Sequence, residues 1–213
     1  MDMQSHWSQI YQSKSPSDVS WYQAKPDRSL DFIRQTGINT AAHIIDVGAG
    51  SSTLVDHLLL SGYQHITVLD ISEEALQLAR NRIGDAHEHM VEWIVGDITK
   101  VELPVHTYDV WHDRAAFHFL TDSLLRQRYI EQVQRAVRPG GHIIIATFAT
   151  EGPEQCSGLD IIRYDPSSLH GTFGNDFELV TSTNETHVTP WGTEQKFIYC
   201  YCRLRETETM PTH

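Results

Sequence analysis

The sequence predicts an α/β fold: a Rossmann-like, doubly wound sheet whose strands are mostly parallel and whose last strand is antiparallel. From about residue 43, short apolar runs alternate with amphipathic segments of helical period. Such alternation is typical of a parallel sheet covered by helices on both faces. Near the end of the chain, two strand-like runs follow one another with no helical segment between them, which predicts an antiparallel hairpin.

The first half of the predicted sheet consists of two strand–helix units and a third strand. An apolar run over 43–47 ends at glycines, and a helical segment over 52–61 follows it. A strand over 65–69 precedes a helix over 72–82, which has a serine as its N-cap, acids in its first turn and arginines in its last. A third strand is predicted over 91–95.

The second half adds two more strands, a helix and the hairpin. Strand four starts at about Tyr108 and continues into the segment VWHDRAAFHFL. A helix over 121–137 keeps an apolar stripe and stops at an Arg-Pro-Gly-Gly sequence, before a fifth strand over 142–148. The hairpin strands are predicted over 177–186 and 195–205.

The composition indicates one intracellular domain and argues against several classes of partner. The chain has 213 residues, of which 40% are hydrophobic, and this suffices for one sizeable core. Its net charge is −12 and its basic residues are scattered, so we expect no nucleic-acid partner. No apolar run approaches the roughly 20 residues that span a bilayer, and the N-terminus lacks the features of a signal peptide. We therefore expect a soluble, cytoplasmic protein with no membrane partner.

The chain divides into three parts. Residues 1–40 form an aromatic N-terminal segment, residues 41–205 form the predicted α/β domain, and residues 206–213 form a polar, flexible tail. The three cysteines lack a CxxC spacing, which argues against a disulfide framework or a zinc knuckle. The 13 histidines form no HExxH or similar motif, so we expect no metal site.

Glycines and acids cluster where the first three strands end, and ligands of doubly wound sheets bind at that edge. Gly48 and Gly50 allow a tight turn and a close approach of the backbone to a ligand. Asp70 ends strand two, where an acid can bind both hydroxyls of a ribose, and Asp97 ends strand three. Because Thr53 replaces the third glycine of the dinucleotide motif, an adenosyl ligand without phosphates is favoured over a nicotinamide dinucleotide.

These motifs make the chain resemble the class I S-adenosylmethionine-dependent methyltransferases. The matching segments, which cover about residues 40–205, are IIDVGAGSS, VLDIS, VGDIT, YDVWHDR, RAVRPGGHIIIATF and the final hairpin. The resemblance implies a seven-stranded sheet with its last strand reversed and S-adenosyl-L-methionine as the cofactor. It also places the methionine part, the ribose and the adenine of the cofactor at the ends of strands one, two and three. In that order, the implied cofactor residues are Asp46, Gly48, Gly50 and Ser51; Asp70 and Ile71; and Asp97 and Ile98.

Strand four carries charged residues inside an otherwise apolar run, which is costly unless they have partners or a function. The resemblance implies that this strand ends beside the methyl group of the cofactor. His112 and Asp113 alternate between the faces of a regular strand, and we expect Asp113 to face the pocket. The candidate catalytic residues are Asp113, His118, His112 and Arg114, with Phe117 as a substrate contact. Alternatively, Arg114 pairs with Asp113 and the histidines have structural roles.

Two further segments carry candidate substrate contacts. The N-terminal segment is rich in aromatic residues, and we expect Tyr11, Trp21 and Tyr22 to contact substrate. In relatives of this size such a segment folds over the cofactor as a lid; the alternative is a helix that packs its aromatic side chains onto the core. Cys156 lies in the loop after strand five. It contacts substrate, binds a soft metal or metalloid, or belongs to a turn-rich crossover, and we favour the last.

Together these features predict a methyltransferase whose acceptor is a small molecule with a thiol, another soft nucleophile or a carboxylate. Methyl transfer demands alignment and a usable lone pair, which a thiol or a carboxylate supplies near neutral pH. A lysine must first lose a proton, at a cost of about 4 kcal/mol. The alternatives are a protein-lysine methyltransferase and a non-catalytic protein that binds an adenosyl ligand. The sequence leaves the acceptor and the oligomeric state open.

Overall fold

The computed structural model describes residues 2–206, so Met1 and most of the predicted tail, residues 207–213, lie outside the described residues. Within that range the strands are β1 (His43–Val47), β2 (His65–Asp70), β3 (Val91–Val95), β4 (Tyr108–Arg114), β5 (Val137–Phe148), β6 (Gln155–Cys156), β7 (Leu159–Asp160), β8 (Phe177–Val188) and β9 (Glu194–Leu204). The helices are α1 (Met3–Ser13), α2 (Asp27–Gln35), α3 (Leu54–Leu60), α4 (Glu73–Ile83), α5 (Ser123–Ala136) and α6 (Pro166–Phe173).

Seven strands form one sheet in the order β3-β2-β1-β4-β5-β9-β8. Strands β1 to β5 pair in parallel, and β9 runs antiparallel to both of its neighbours. The predicted doubly wound sheet with a reversed last strand is therefore confirmed. The strand order reverses between β1 and β4, so their following connections leave in opposite directions and open a crevice at the carboxyl ends of these strands.

Helices cover both faces of the sheet, and each face has its own hydrophobic core. On one face α2, α3 and α4 bury apolar side chains such as Ile33 and Leu58 against the strands. On the other face, α5 and α6 pack around Trp111 and Tyr129. The indole N–H of Trp111 donates a 2.9 Å hydrogen bond to the phenol oxygen of Tyr129. The predicted cap of α4 is present, since the hydroxyl of Ser72 accepts from a backbone amide of the first turn.

Two predictions about the second half need correction. Strand β5 starts at Val137, directly after α5, rather than at residue 142, because Val137 already pairs with Tyr108 of β4. The loop after β5, for which the sequence favours a turn-rich crossover, contains the small hairpin β6–β7, and helix α6, which was not predicted, follows it. Helix α6 begins with a capping box in which Asp165 accepts from backbone amides while Ser168 accepts from the amide of Asp165.

None of the helices within residues 2–206 has the length and apolar character needed to cross a bilayer.

Candidate active site

A cavity of about 370 Å³ lies at the carboxyl ends of β1, β2, β3 and β4, where the strand order reverses. This volume is within the range of small-molecule sites. The cofactor residues implied by the sequence that border it are Asp46, Gly48, Ser51, Asp70, Ile71, Asp97 and Ile98. The glycine-rich loop after β1 forms its floor.

That loop leaves no room for side chains at its two predicted glycines. Gly48 and Gly50 have φ angles of +62° and +56°, which glycine adopts without strain. A Cβ on Gly48 would lie 2.2 Å from the Cβ of Ala116, and a Cβ on Gly50 would lie 2.1 Å from the phenol oxygen of Tyr11. Both positions therefore require glycine, because Ala116 and Tyr11 occupy the space that a side chain would need.

Asp70 ends β2 with both carboxylate oxygens oriented by the backbone. Oδ2 accepts from the amide of Gly50 at 2.7 Å, and Oδ1 accepts from the amide of Ser72 at 2.8 Å. Burial, and to a smaller extent the charge of Asp46, raises the pKa of this carboxyl to about 6. Each oxygen keeps a lone pair for a further donor, so the carboxylate fits a pair of ribose hydroxyls.

Asp97, just beyond β3, is held in the same way. Its Oδ1 accepts from the amide and the hydroxyl of Thr99, and its Oδ2 lies 2.9 Å from Nζ of Lys100. Although partial burial raises the pKa of Asp97, these hydrogen bonds outweigh it and the pKa is lowered. Ile71 and Ile98 supply apolar surface beside the two acids. The acids and the apolar walls together fit an adenosine.

His112 of β4 and Asp46 of β1 are register partners and share a sheet face. Nδ1 of His112 lies 2.7 Å from Oδ1 of Asp46, and Nε2 lies 2.8 Å from the hydroxyl oxygen of Ser29 in α2. All three side chains are buried and border the cavity. The sequence identified His112 and Asp46 as site residues, but no motif pointed to Ser29, which the packing of α2 brings to the site.

The prediction that Asp113 faces the cavity is wrong. Because side chains alternate along β4, His112 takes the cavity face and Asp113 points into the core beneath α5. Its Oδ2 accepts from the phenol of Tyr129 at 2.6 Å, and its Oδ1 accepts from the amides of Ala116 and Phe117. Burial raises its pKa to about 6. Asp113 thus fixes the turn after β4 and does not border the cavity.

Phe117 and His118, predicted to line the same site, are also turned away from it. Phe117 is buried among aromatic rings of the α5 and α6 face. The imidazole of His118 is buried, and its Nδ1 accepts from the amide of Phe148 at 3.4 Å. Burial, together with the charge of Arg114, lowers the pKa of His118 to about 3, so this ring is neutral. The aromatic residue of this turn that borders the cavity is Phe119.

Arg114 borders the cavity, but it does not pair with Asp113. Its Nη1 donates to the carbonyl of Trp21 at 3.0 Å, and its Nε donates to the phenol oxygen of Tyr199 at 3.1 Å. Its Nη2 lies 3.9 Å from Oε2 of Glu185 on β8. Neither Tyr199 nor Glu185 was expected from the sequence, since both come from the C-terminal hairpin and follow no local motif.

The similarity of the chain to a known protein family indicates what this cavity binds. Residues 44–141 match a family model described as "Methyltransferase domain", and this span includes the loops after β1, β2, β3 and β4 that build the cavity. These residues form a methyltransferase domain of the S-adenosylmethionine-dependent kind. Its cofactor is S-adenosylmethionine, and the residues present fit it: the glycine loop borders the cavity where the methionine part is expected, beside two oriented acids for the adenosine.

Relatives of this methyltransferase act on different kinds of acceptor. The mouse protein named "eEF1A lysine and N-terminal methyltransferase" is 28% identical over 150 residues, which are 68% of this chain and 21% of that protein. The "Ubiquinone/menaquinone biosynthesis C-methyltransferase UbiE" of Roseobacter denitrificans is 28% identical over 108 residues, 50% of this chain and 42% of that one. The chain therefore spans less than half the length of these curated relatives.

A solved structure of a protein described as a SAM-dependent methyltransferase, from Methanosarcina mazei, has the same fold. It superposes with a TM-score of 0.69 at 17% identity and covers 82% of this chain and 98% of its own.

The N-terminal segment of the methyltransferase lies against the cavity. Trp7, Tyr11 and Trp21 pack on one another with ring centroids 5.8 to 6.5 Å apart, and Trp7 packs edge-on against Phe119 at 5.0 Å. These four side chains and that of Tyr22 border the cavity. Burial, followed by the charge of Asp70, raises the pKa of Tyr11, so its phenol stays protonated. The three aromatic residues predicted as substrate contacts are therefore at the site.

Cys156 also borders the cavity, in the hairpin β6–β7. Its thiol is buried, and burial raises its pKa to about 11. At neutral pH it is a protonated, weakly polar wall of the cavity rather than a nucleophile, because the reactive form of a cysteine is the thiolate.

Proposed function

We propose that this methyltransferase acts on a small-molecule acceptor with a thiol, another soft nucleophile or a carboxylate. The observation that carries the proposal is that the N-terminal segment covers the cavity, so the space beside the cofactor residues is bounded on that side by protein. A side chain presented by a folded partner requires an open approach, whereas a small molecule can be enclosed. When bound, S-adenosylmethionine supplies an electrophilic methyl group on a sulfonium sulfur.

Six hydrogen bonds hold residues 20–29 of this cover to the rest of the chain, and one of them joins the hydroxyls of Ser29 and Tyr199. The other five use the side chains of His112, Arg114, His187, Thr53 and His57 on the body of the domain. Their partners are Ser29, the backbone carbonyls of Trp21, Ser20 and Gln23, and the carbonyl of Ala24. Because these bonds join the segment to four different elements, we propose that residues 20–29 are a fixed wall of the acceptor site.

The chemistry of the walls favours an acceptor with an apolar body. Apolar and aromatic side chains dominate the part of the cavity away from the cofactor acids; they are Met3, Trp7, Val19, Trp21, Phe119, Leu120 and Leu125. Burying such surface against an apolar ligand contributes roughly 25 cal/mol per Å². The charge of Arg114 is offset by the nearby Glu185, so an anionic acceptor gains little there. A neutral or soft nucleophile on an apolar skeleton therefore fits best.

A protein lysine is the second candidate, because one relative is named as a lysine and N-terminal methyltransferase. An amine acceptor needs a carboxylate to orient and deprotonate it. Among the described residues, the acids that border the cavity are Asp46, Asp70 and Asp97, and each already has hydrogen-bond partners within the protein. Since Asp113 points away and Asp46 is paired with His112, none of the described carboxylates is free to pair with an ammonium group of the acceptor.

Incubation with methyl-labelled S-adenosylmethionine tests the proposal. The protein is mixed with the labelled cofactor and a cell lysate, and the lysate is then separated into a small-molecule filtrate and a macromolecular fraction. We expect new label in an apolar compound of the filtrate, and none with Asp70→Ala. Label on a protein band would contradict the proposal and favour the lysine alternative. Absence of transfer despite cofactor binding would favour a non-catalytic role.

We further propose that α1 is a lid over the cofactor, latched at Glu74 of α4. The hydroxyl of Ser8 donates to Oε2 of Glu74 at 2.5 Å, and the amide of Gln12 donates to Oε1 at 2.7 Å. The hydrogen bond from Ser8, with smaller contributions from neighbouring donors, lowers the pKa of Glu74 to about 2. Glu74 is thus ionised throughout the neutral range and keeps the latch closed.

Glu74→Ala should make bound S-adenosylmethionine dissociate about threefold to tenfold faster, because the lid loses its bonds to a partly exposed charge. Stopped-flow displacement of the bound cofactor by excess S-adenosylhomocysteine measures this rate. The matched control is Glu73→Ala, which removes an acid from the same helix turn but leaves both hydrogen bonds between α1 and Glu74 in place. Equal dissociation rates in the two variants would contradict the lid.

A cytoplasmic location accompanies this proposal, since the three cysteines are free thiols, as expected in a reducing compartment. We propose no nucleic-acid or membrane partner.

A further inference from the structure

We propose that Ser29, His112 and Asp46 form a proton relay that takes the proton from the methyl acceptor. The inference rests on the small-molecule function proposed above and narrows it: the acceptor is a molecule whose nucleophilic atom carries a proton, such as a thiol, rather than a carboxylate. Ser29 receives the acceptor proton, His112 stores it, and Asp46 stabilises the charged imidazole.

The hydrogen bonds fix the direction of the relay. The carboxylate of Asp46 only accepts, so Nδ1 of His112, 2.7 Å away, must carry a proton. Nε2 is then free to accept from the hydroxyl of Ser29 at 2.8 Å. A hydroxyl that donates to a histidine, which in turn donates to a buried carboxylate, is the arrangement that serine hydrolases use to move a proton away from a reacting oxygen.

The surroundings of the three residues keep this arrangement in place. Asp46, His112 and Ser29 are 3%, 3% and 0% exposed, so bulk water does not compete for their hydrogen bonds. The phenol oxygen of Tyr199 on β9 lies 3.4 Å from the hydroxyl of Ser29 and accepts from Nε of Arg114. A proton on Tyr199 therefore points towards Ser29, which leaves the serine hydroxyl free to donate to His112.

The other charged groups near His112 have opposing effects on the positively charged form of its imidazole. Arg114, two residues further along β4, opposes a second positive charge, and Glu185 offsets Arg114. Asp113 lies on the opposite face of β4 and adds a negative charge next to His112 along the chain. Ser29 of α2 and Tyr199 of β9 are neutral hydrogen-bond partners. Asp46, in direct contact with the ring, is the group that pairs with the imidazolium.

With these three residues, methyl transfer needs no further acid or base from the protein. The acceptor atom X forms a bond to the methyl carbon while the carbon–sulfur bond breaks, and the electron pair of that bond remains on the sulfur. The X–H proton passes to the oxygen of Ser29 as the serine proton passes to Nε2 of His112. The products are a methylated acceptor, a neutral thioether and an imidazolium paired with Asp46. Once the product has left, the imidazolium returns its proton through Ser29 to water that enters the cavity.

Two thiols that differ in acidity test the relay with the full chain. The probes are 2-phenylethanethiol, which is protonated at neutral pH like ordinary alkyl thiols, and 4-nitrothiophenol, an acidic aryl thiol that needs no base. At saturating cofactor, we expect His112→Gln and Ser29→Ala to lower turnover of the alkyl thiol about 100-fold or more, the scale of general-base catalysis. Turnover of the aryl thiol should change by less than about threefold. The control His118→Gln removes a buried histidine outside the cavity and should leave the ratio of the two rates unchanged.

Equal losses for both thiols would overturn the relay, because a merely structural role does not depend on the acidity of the acceptor. A loss of cofactor affinity in His112→Gln by calorimetry, with no change in the ratio, would assign His112 to cofactor positioning instead. If the unchanged protein methylates neither thiol, the thiol class fails and the relay is judged by nitrogen NMR of the free protein. A neutral His112 with its proton on Nδ1 supports the relay; a doubly protonated ring at pH 7.5 overturns it, because it has no site for another proton.

Discussion

Asp70→Ala is expected to weaken the binding of S-adenosylmethionine about 100-fold or more. Two ribose hydroxyls donate to one buried carboxylate in the proposed pose, and each hydrogen bond to a charged group contributes roughly 1.5–3 kcal/mol. The substitution also removes the acceptor for the amide of Gly50, so the glycine loop loses its anchor to β2. Calorimetric titration with the cofactor measures the change, and an affinity within threefold of the unchanged protein would remove Asp70 from the site.

The pH dependence of the same affinity supplies an independent check. Since burial raises the pKa of Asp70 to about 6, the carboxyl of the free protein takes up a proton as the pH falls through that value. Hydroxyl donors bind the ionised form, so affinity should be highest above pH 7 and should decline towards pH 5. Asp70→Asn preserves the shape of the side chain but does not titrate. Its weaker affinity is expected to be flat over this range, which separates loss of the charge from loss of the fold.

The cofactor half of the site could be predicted because its geometry is encoded locally. Gly48 and Gly50 are needed for backbone at positive φ beneath Ala116 and Tyr11, and that requirement appears in the sequence as a short motif. Asp70 ends β2 and Asp97 lies two residues beyond β3, so their position along the chain already places them at one edge of the sheet.

The acceptor half could not be predicted in the same way, because it depends on the register of distant segments. Which residue of β4 faces the cavity follows from the pairing of His112 with Asp46, and a shift of one residue would exchange His112 for Asp113. Ser29 and Tyr199 reach the site from α2 and β9, which lie far from β4 along the chain. No local pattern marks either residue, so only the folded structure brings the polar network together.

The turn after β4 explains why the sequence misplaced Phe117, and it gives Asp113 a structural role. Ala115 has a φ of +71°, a conformation that costs a residue with a side chain about 1–2 kcal/mol. The amides of Ala116 and Phe117 donate to Asp113 across this turn, so the carboxylate holds the strained backbone. The turn redirects the chain, which is why Phe117 enters the core instead of the cavity.

Asp113→Ala is therefore expected to lower the free energy of unfolding by about 3 kcal/mol or more. It leaves two backbone amides and the phenol of Tyr129 without their acceptor in a buried place, and each such group costs roughly 1–3 kcal/mol. Urea unfolding measures the loss. Asp113→Asn keeps an oxygen for the two amides and should cost much less; equal losses in the two variants would show that the amides do not depend on this acceptor.

The pH dependence of Asp113 has the sign of a carboxyl whose pKa is raised on folding, from 3.8 to about 6. Its contribution to stability is fully present below pH 3.8 and is lost as the pH rises through about 6, because the folded protein holds the proton more tightly than the unfolded chain. The stability of the unchanged protein relative to Asp113→Asn should thus fall between pH 4 and pH 6.5 and stay level above it. A difference that rises with pH over this range would mean that Asp113 is ionised more easily in the folded protein than in the unfolded chain. The hydrogen bonds from Tyr129, Ala116 and Phe117 would then outweigh the effect of burial on this carboxyl, and the expected pH dependence would be wrong.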